Sequence, residues 1–188
     1  VYLSQSIGHD RYIPSESAHY SFDFYIHKTM YRLHASKAGT VWRTRWDVPN
    51  GDDSDMGNYI VLKDTSTTPT TYQLYLHLAQ DSIPLNLRAE GAYVTQGDFI
   101  GIADDTGKST GHHLHFQVHT NPDSYWGISV DITFDDVDIN GGRPRRESDL
   151  PYCTRPNDVC NKFRNNYISG NPVYDEVSPP TGDLFEPS

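Results

Sequence analysis

Short runs of alternating apolar and polar residues dominate the first three quarters of the chain. Successive side chains of a β-strand point to opposite faces, so this alternation is typical of half-buried strands. Clusters of Gly, Pro, Asn and Asp separate the runs, and no window of useful length has apolar residues at helical spacing. The pattern predicts an all-β fold of antiparallel sheets. The predicted strands are 21–26, 40–47, 58–63, 72–78, 98–103, 113–119 and 129–134.

The composition changes after about residue 138. The segment that begins with Ile139 is rich in Pro, Asn and charged residues and has too few apolar residues for a core of its own. We therefore expect one domain over 1–138 and an irregular C-terminal extension over 139–188 that packs on it. One short helix is expected in the extension, around 158–165.

Charge excludes some classes of function. The formal net charge is −10 and the pI is about 5.2, which argues against a nucleic-acid ligand because phosphate binding needs clustered Lys and Arg. The one basic cluster, Arg143, Arg145 and Arg146, lies in a Gly/Pro-rich segment and is expected to be solvated. No run of 18 apolar residues is present, so no membrane-spanning helix is expected.

Cys153 and Cys160 are the only cysteines of the chain and lie seven residues apart. They have three possible states: metal ligands, free thiols or a disulfide. Two thiols alone are a poor metal site, and the Arg-Pro-Asn-Asp segment between them is typical of a turn that lets a small loop close. We expect a disulfide, which implies an oxidising compartment.

The segment 109–116, STGHHLHF, carries the clearest chemical signal. On a strand, His113 and His115 would point to one face while Leu114 and Phe116 point into a core. A lone histidine is usually a solvated residue, but that interpretation is weak for two imidazoles fixed by apolar neighbours. Such a pair suits a metal ligand beside a proton-transfer group.

Other residues of the chain can complete a metal site. Catalytic zinc usually takes three protein ligands and keeps one position for water. His19 and Asp23 are four residues apart in HYSFD, directly before an apolar run. In 72–78, strict alternation puts Leu74 and Leu76 on one face and His77 on the other, which predicts that His77 faces a pocket.

These segments together resemble the M23 family of zinc metallopeptidases, of the lysostaphin/LytM type. The motifs HxxxD, YxHL and GxSTGxHLHF occur in the family's order, and the segments 33–41, 57–62 and 91–101 resemble its glycine framework. The resemblance covers about residues 9–119. It implies a compact antiparallel β fold, so that 1–138 would be the peptidase domain.

The sequence departs from the family pattern at three places. Met30-Tyr31-Arg32 replaces a usual Gly-Thr-Pro, His112 replaces the usual Pro before HLHF, and Asp104 and Asp105 stand where a Gly is common. None of these changes removes an expected ligand. They concern the shape of the substrate groove more than the chemistry.

The resemblance implies one zinc ion per chain, with His19, Asp23 and His115 as its ligands. His77 and His113 match the positions of the two catalytic histidines, and the sequence leaves open which of them is the base. Some secreted members place the first ligand about a dozen residues before the Asp. His9 would suit that longer spacing, and His19 would then belong to the groove or to the surroundings of the ligands.

The expected activity is hydrolysis of peptide bonds in bacterial peptidoglycan, beside glycine or D-alanine. Two alternatives are a secreted protease acting on glycine-rich proteins such as elastin and a non-catalytic cell-wall-binding or regulatory module. We expect a bacterial protein that is secreted or periplasmic and acts as a monomer, with no nucleic-acid partner. Aromatic residues such as Tyr12, Tyr75 and Trp126 are expected to serve the core, although some could line a groove.

Overall fold

The computed structural model describes residues 1–9, 16–27, 29–53 and 56–164. The helices that lie wholly within these residues are short 3-10 turns, Glu16–Ala18, Leu85–Leu87 and Glu147–Tyr152. Their strands are β1 (Tyr2–Gln5), β2 (Phe22–Tyr25), β3 (Tyr31–His34), β4 (Gly39–Arg45), β5 (Asn58–Asp64), β6 (Thr71–Leu78), β7 (Tyr93–Val94), β8 (Phe99–Ala103) and β9 (Leu114–His119).

All strand pairs are antiparallel, and the fold is all-β as predicted. The main path of the sheet runs β1-β2-β9-β6-β5-β4-β7, while β3 pairs with β8, which also pairs with β6. The strands that carry the expected site, β2, β6 and β9, are therefore direct neighbours in the middle of the sheet.

The sheet buries apolar side chains on both faces. The larger core includes Phe22, Tyr75, Leu114 and Phe116, so Leu114 and Phe116 point into a core as predicted. A smaller cluster on the other side contains Val61, Tyr72, Leu74 and Leu76, covered by half-buried aromatic residues that include Trp126. Because both of its faces are packed, β6 holds His77, the residue after Leu76, in a fixed position.

Six of the seven predicted strand segments contain a strand, and the prediction for 129–134 is wrong. Ser129 makes a single bridge to His119, and the Val130 N–H donates to the Val118 carbonyl at 2.8 Å. Beyond that point the segment leaves the sheet, although Ile132 and Phe134 still pack against the larger core. Its apolar pattern reflects this packing and not strand pairing.

The described part of the C-terminal extension is bound to the β-sheet by polar contacts. Arg145 is fully buried and pairs with Asp131 at 3.0 Å, so the expectation of a solvated arginine cluster is wrong for this residue. Asp149 accepts hydrogen bonds from the Ser6 N–H at 3.0 Å and the Ser6 hydroxyl at 2.8 Å. Residues 158–164 form no helix, contrary to prediction.

Cys153 and Cys160 form a disulfide with a Cα–Cα distance of 6.4 Å. The predicted pairing is confirmed. No helix in the described parts of the chain has the length and apolar character needed to cross a membrane. The division of the chain at residue 138 stays a prediction, and the end of the predicted extension, 165–188, lies outside the described residues.

Candidate metal and catalytic site

The pairing of β2 with β9 builds the centre of the site. Asp23 of β2 lies directly opposite His115 of β9, and cross-strand partners of this kind share one face of the sheet. The His115 Nδ1 atom lies 3.2 Å from Asp23 Oδ1. Both side chains are buried, so the sheet register alone brings two candidate metal ligands together.

His9 is the third side chain of this cluster. Its Nε2 atom lies 3.1 Å from Asp23 Oδ2, and its ring centroid is 4.8 Å from that of His115. Gly8 makes the approach possible: it has a φ of +75°, and a Cβ there would lie 2.2 Å from the Tyr152 Cβ. The ligand atoms of His9, Asp23 and His115 all lie within 4.8 Å of one another.

His19 does not take part in this cluster, contrary to the expectation that it is the first ligand. Its Nε2 atom lies 3.3 Å from both carboxylate oxygens of Asp158, which also accepts a hydrogen bond from the Tyr20 hydroxyl at 2.9 Å. His19 follows the 3-10 turn Glu16–Ala18 and precedes β2, so it lies outside the Asp23–His115 register. The geometry favours the longer spacing, with His9 in place of His19.

His77 reaches the site through an irregularity in β6. Leu76 pairs with Tyr59 and Leu78 pairs with Asn58, so His77 is an extra residue, bulged out of the ladder. Its φ is +67°, an uncommon conformation for a residue with a side chain. The bulge turns His77 towards the face that holds His115, with 6.2 Å between the two ring centroids.

His113 lies immediately before β9 and beside His77, with 4.7 Å between the ring centroids. Its Nδ1 atom is 2.8 Å from the Gly111 carbonyl and 3.2 Å from the Ser109 hydroxyl. Its Nε2 atom lies 3.6 Å from Asp23 Oδ1. His113 and His115 therefore face the same side, as their alternation predicts.

Three residues that surround the cluster are not among the predicted site residues. Gln117 is fully buried; its Oε1 atom is 3.3 Å from His115 Nε2, and its amide donates to the Gly127 carbonyl at 2.7 Å. The Trp126 ring stacks on the His115 ring, with 5.3 Å between the centroids. The Thr106 carbonyl is 2.8 Å from His77 Nδ1.

For one of these residues a signal was available. Gln117 lies two residues after His115 on the same strand, and alternation alone puts both on one face. Trp126 and Thr106 belong to loops, whose paths cannot be read from local pattern. Of the aromatic residues named as groove candidates, Tyr75 lies in the core, and Tyr12 lies outside the described residues.

The cluster has unusual electrostatics. Burial alone would raise the pKa of Asp23, but the charge of His9 and the close contacts with the His115 and His9 imidazoles outweigh it and hold this pKa well below its ordinary value. Burial lowers the pKa of His115. Burial, with the charges of His113 and His115, lowers the pKa of His77 to about 3. The imidazole of His77 is therefore neutral near pH 7.

The family model of peptidase family M23 matches residues 17–125, more than half of the 188 residues. The chain belongs to peptidase family M23. The matched segment holds Asp23, His77, His113 and His115, and it starts after His9. Membership of this family makes the chain a peptidase and supports a metal cofactor, for which the His/Asp cluster is the candidate site.

Solved structures of peptidases are similar to this chain over part of its length. The catalytic domain of the antimicrobial peptidase lysostaphin from Staphylococcus simulans is 29% identical, with a TM-score of 0.43, over 57% of this chain and 71% of that one. A zinc-containing peptidase from Vibrio cholerae is 28% identical, with a TM-score of 0.42, over 60% of this chain and 30% of that one.

A third similar structure is the catalytic domain of the prophage-encoded M23 protein EnpA from Enterococcus faecalis. It is 19% identical, with a TM-score of 0.48, over 69% of this chain and 88% of that domain. Among curated protein sequences, none matches the chain.

Proposed function

We propose that this M23 peptidase is a zinc-dependent endopeptidase that hydrolyses peptide cross-links of bacterial peptidoglycan. The observation that carries the proposal is the convergence of His9, Asp23 and His115 on one point, with His77 and His113 beside it. The proposed ligand set is His9, Asp23 and His115, and the proposed catalytic residues are His77 and His113.

The donor set fits zinc. Gln117 Oε1 accepts a hydrogen bond from the Ser21 hydroxyl at 2.9 Å, and its amide donates to the Gly127 carbonyl, so Oε1 can only accept from His115 Nε2. The His115 Nδ1 lone pair then faces Asp23 Oδ1 at 3.2 Å. Two acceptors at that distance repel each other unless a cation lies between them.

Two imidazoles and one carboxylate form a ligand set that catalytic zinc uses, with a further position left for water. Zinc bound there would lower the pKa of that water and polarise the scissile carbonyl. The remaining chemistry falls to this chain's own side chains.

His77 and His113 have the same arrangement of donors and acceptors. Each has Nδ1 within 2.8 Å of a backbone carbonyl, Thr106 and Gly111 respectively, so each carries its proton on Nδ1 when neutral. The Nε2 lone pairs stay available to accept a proton. One histidine would take the proton of the attacking water, and the other, once protonated, would give a proton to the leaving amine or stabilise the oxyanion.

The substrate proposal rests on the family and on the resemblance of the motifs to lysostaphin/LytM-type enzymes. An extracytoplasmic home, secreted or periplasmic, is part of the proposal and is supported by the Cys153–Cys160 disulfide, since such bonds persist in oxidising compartments. A monomeric state stays a prediction.

Digestion of purified cell walls tests the proposal. The protein should release peptide fragments with new amino termini, detected by mass spectrometry, from walls with glycine bridges or direct D-alanine cross-links. Activity should disappear with a chelator and return with one equivalent of zinc. His77→Ala and His113→Ala should keep zinc and fold but lose about 10²–10⁴-fold in turnover.

Other outcomes select the alternatives. If the protein cleaves elastin but leaves cell walls uncleaved, its substrates are glycine-rich proteins. Zinc binding and cosedimentation with walls, without any fragment released, would support a binding module. Near-normal turnover of either histidine variant would contradict the two-histidine mechanism. His27→Ala, at an exposed histidine, is the matched control and should leave turnover unchanged.

A further inference from the structure

A second group of metal-ligating side chains lies at the end of β8, outside the cluster described above. Asp104 and Asp105 directly follow β8, and His112 lies two residues before β9. Their ligand atoms all lie within 4.8 Å of one another, and His112 Nδ1 is 2.6 Å from Asp104 Oδ1. Two departures from the family's sequence pattern, the Asp pair in place of a Gly and His112 in place of a Pro, are therefore close together in the structure.

Asp104 is the unusual member of this group. Its side chain is 1% exposed, and neither carboxylate oxygen has a hydrogen-bond partner among the described residues. The close contact with His112 lacks hydrogen-bond geometry as well. A buried carboxylate that has only the partly exposed His112 imidazole in close contact is unfavourable, so a further positive charge beside it would be stabilising. Burial and the charge of Asp105 raise the pKa of Asp104 and outweigh His112 and the Asp105 N–H, which act in the opposite direction.

We propose that Asp104, Asp105 and His112 bind a second divalent cation of the zinc type. One imidazole nitrogen with two carboxylates suits zinc and its neighbours in the transition series, whereas magnesium and calcium prefer oxygen ligands alone. The side chain of His112 is 34% exposed and Asp105 is half-buried, so the ion has access from solvent.

The site needs only small side-chain movements to close. Ligand atoms bound to one zinc ion at about 2.0–2.2 Å in tetrahedral geometry lie about 3.3–3.6 Å apart, whereas the ligand atoms of this group lie within 4.8 Å of one another. The Gly51 N–H donates to Asp105 Oδ1 at 3.1 Å and orients that carboxylate. Rotation of the accessible His112 and Asp105 side chains towards Asp104 would close the difference.

The position of the site links it to the proposed catalytic histidines. The Asp104 N–H donates to the His77 carbonyl at 2.7 Å, and the His113 N–H donates to the Asp104 carbonyl at 3.0 Å. An ion bound at Asp104 would therefore fix the backbone that carries both imidazoles. The second cation is a structural ion beside the proposed active site, not a participant in the reaction.

Zinc stoichiometry after equilibrium dialysis, measured by elemental analysis, tests the proposal without any activity assay. His112→Ala should bind one zinc ion fewer than the wild type. The same loss of one should appear in the Asp23→Ala background, where the proposed catalytic ion is removed. His27→Ala, which removes an exposed imidazole, should change neither value. Circular dichroism checks that each variant is folded.

Asp105→Asn gives a second measurement that does not depend on an imidazole. It keeps the size of the side chain, and calorimetric titration with zinc should show the second site weakened by at least the 10–100-fold that loss of an outer-shell partner causes. Equal stoichiometry and affinity with and without His112, in both backgrounds, would show that His112 and Asp104 form only an ion pair and would overturn the proposal. Loss of zinc in Asp23→Ala alone concerns the first site, so the two proposals fail separately.

Discussion

At the scale of single residues, the site depends on which nitrogen of each histidine carries the proton. Carbonyl groups of Thr106 and Gly111 fix the proton of His77 and His113 on Nδ1, while Gln117 fixes that of His115 on Nε2. The first two imidazoles therefore offer Nε2 as a base, and the third offers Nδ1 as a ligand. The residue types were predictable from the sequence, but these assignments depend on loop carbonyls.

The first prediction concerns the first zinc ligand, for which the motif spacing favours His19 and the structure favours His9. His9→Ala should lose zinc because it removes one of three converging ligands, whereas His19→Ala should keep it. His19→Ala should instead lower the free energy of unfolding, since it leaves the buried Asp158 carboxylate with one partner fewer. Elemental analysis and urea unfolding of both variants measure these effects. Full zinc content in His9→Ala, with loss in His19→Ala, would restore the shorter spacing.

The second prediction concerns Gln117 as a positioning residue. Gln117→Leu removes the acceptor for His115 Nε2 and should weaken zinc binding by about 10–100-fold. Gln117→Glu can still accept that hydrogen bond but cannot donate to the Gly127 carbonyl, so its affinity should lie nearer to wild type. Competition with a chromogenic chelator gives both dissociation constants. An unchanged affinity in Gln117→Leu would show that His115 is held without it.

At the scale of elements, the sheet register and one bulge bring the side chains together. Alternation correctly predicted that His113 and His115 share a face, because residues 113–119 pair without interruption. For His77, alternation predicted the wrong face of the sheet. It put His77 on the face opposite Leu74 and Leu76, which is the face where Tyr75 packs into the larger core. The residue reaches the site only because the bulge adds one position, and a bulge leaves no signal in the alternation pattern.

The longer strands were predictable for a related reason. β4, β5, β6 and β9 are six to eight residues long and carry enough alternation to be recognised, whereas β1, β3 and β7, which lie in no predicted segment, have four residues or fewer. Length is not the only signal, since β2 also has four residues and lies in the predicted segment 21–26. The position of His9 beside Asp23 depends on the path of the chain from β1 to β2, part of which lies outside the described residues. Motif spacing alone could not choose between two histidines.

The third prediction tests the support of the bulge. A Cβ at Gly57 would lie 2.1 Å from the Thr106 carbonyl oxygen, which is the partner of His77 Nδ1. Gly57→Ala should therefore displace this loop, keep zinc and lower turnover, by about 10²-fold for a shift of 1 Å. Gly51→Ala is the control. It also adds a Cβ, at a φ of +74° that disfavours one, but no other atom lies within 4 Å of that Cβ. Equal turnover in the two variants would contradict the role of Thr106.

At the scale of the whole molecule, polar contacts hold the described part of the predicted extension against the rest of the chain. Asp158 lies inside the disulfide loop and contacts His19 and Tyr20, while Arg145 and Asp149 contact the domain at Asp131 and Ser6. The contacts of Asp158 and Asp149 connect segments more than a hundred residues apart in sequence, whereas Arg145 and Asp131 are 14 residues apart. Polar contacts therefore hold these residues of the predicted extension in place.

The fourth prediction concerns the disulfide. The double variant Cys153→Ser/Cys160→Ser should have a free energy of unfolding about 2–3 kcal/mol lower than the wild type. The effect is modest because so small a disulfide loop removes little conformational entropy from the unfolded chain. The Asp158 contacts should also loosen, and chemical shifts of the His19 ring measured by NMR report on them. Unchanged stability and unchanged shifts would show that the loop is held without the bond.

The fifth prediction concerns the pH dependence of stability, and it rests on His119. This residue is fully buried at the end of β9; its Nε2 atom is 3.0 Å from the Tyr125 carbonyl, and its Nδ1 accepts from the Asn121 N–H at 3.1 Å. Burial lowers its pKa to about 4, against a hydrogen bond to Tyr125 that acts in the opposite direction. Protonation of Nδ1 would also break the bond from Asn121. The unfolded chain takes up this proton near pH 6.5 and the folded chain only near pH 4, so stability should fall as the pH decreases through that window.

Urea unfolding at a series of pH values, in the presence of a chelator that removes bound metal, measures how steeply the free energy of unfolding changes with pH. His119→Gln should reduce the proton uptake on unfolding by about one proton, whereas His27→Gln, at an exposed position, should not. If the free energy of unfolding changes equally with pH in the wild type and in His119→Gln, His119 is protonated in the folded protein and its assignment as a neutral imidazole is wrong.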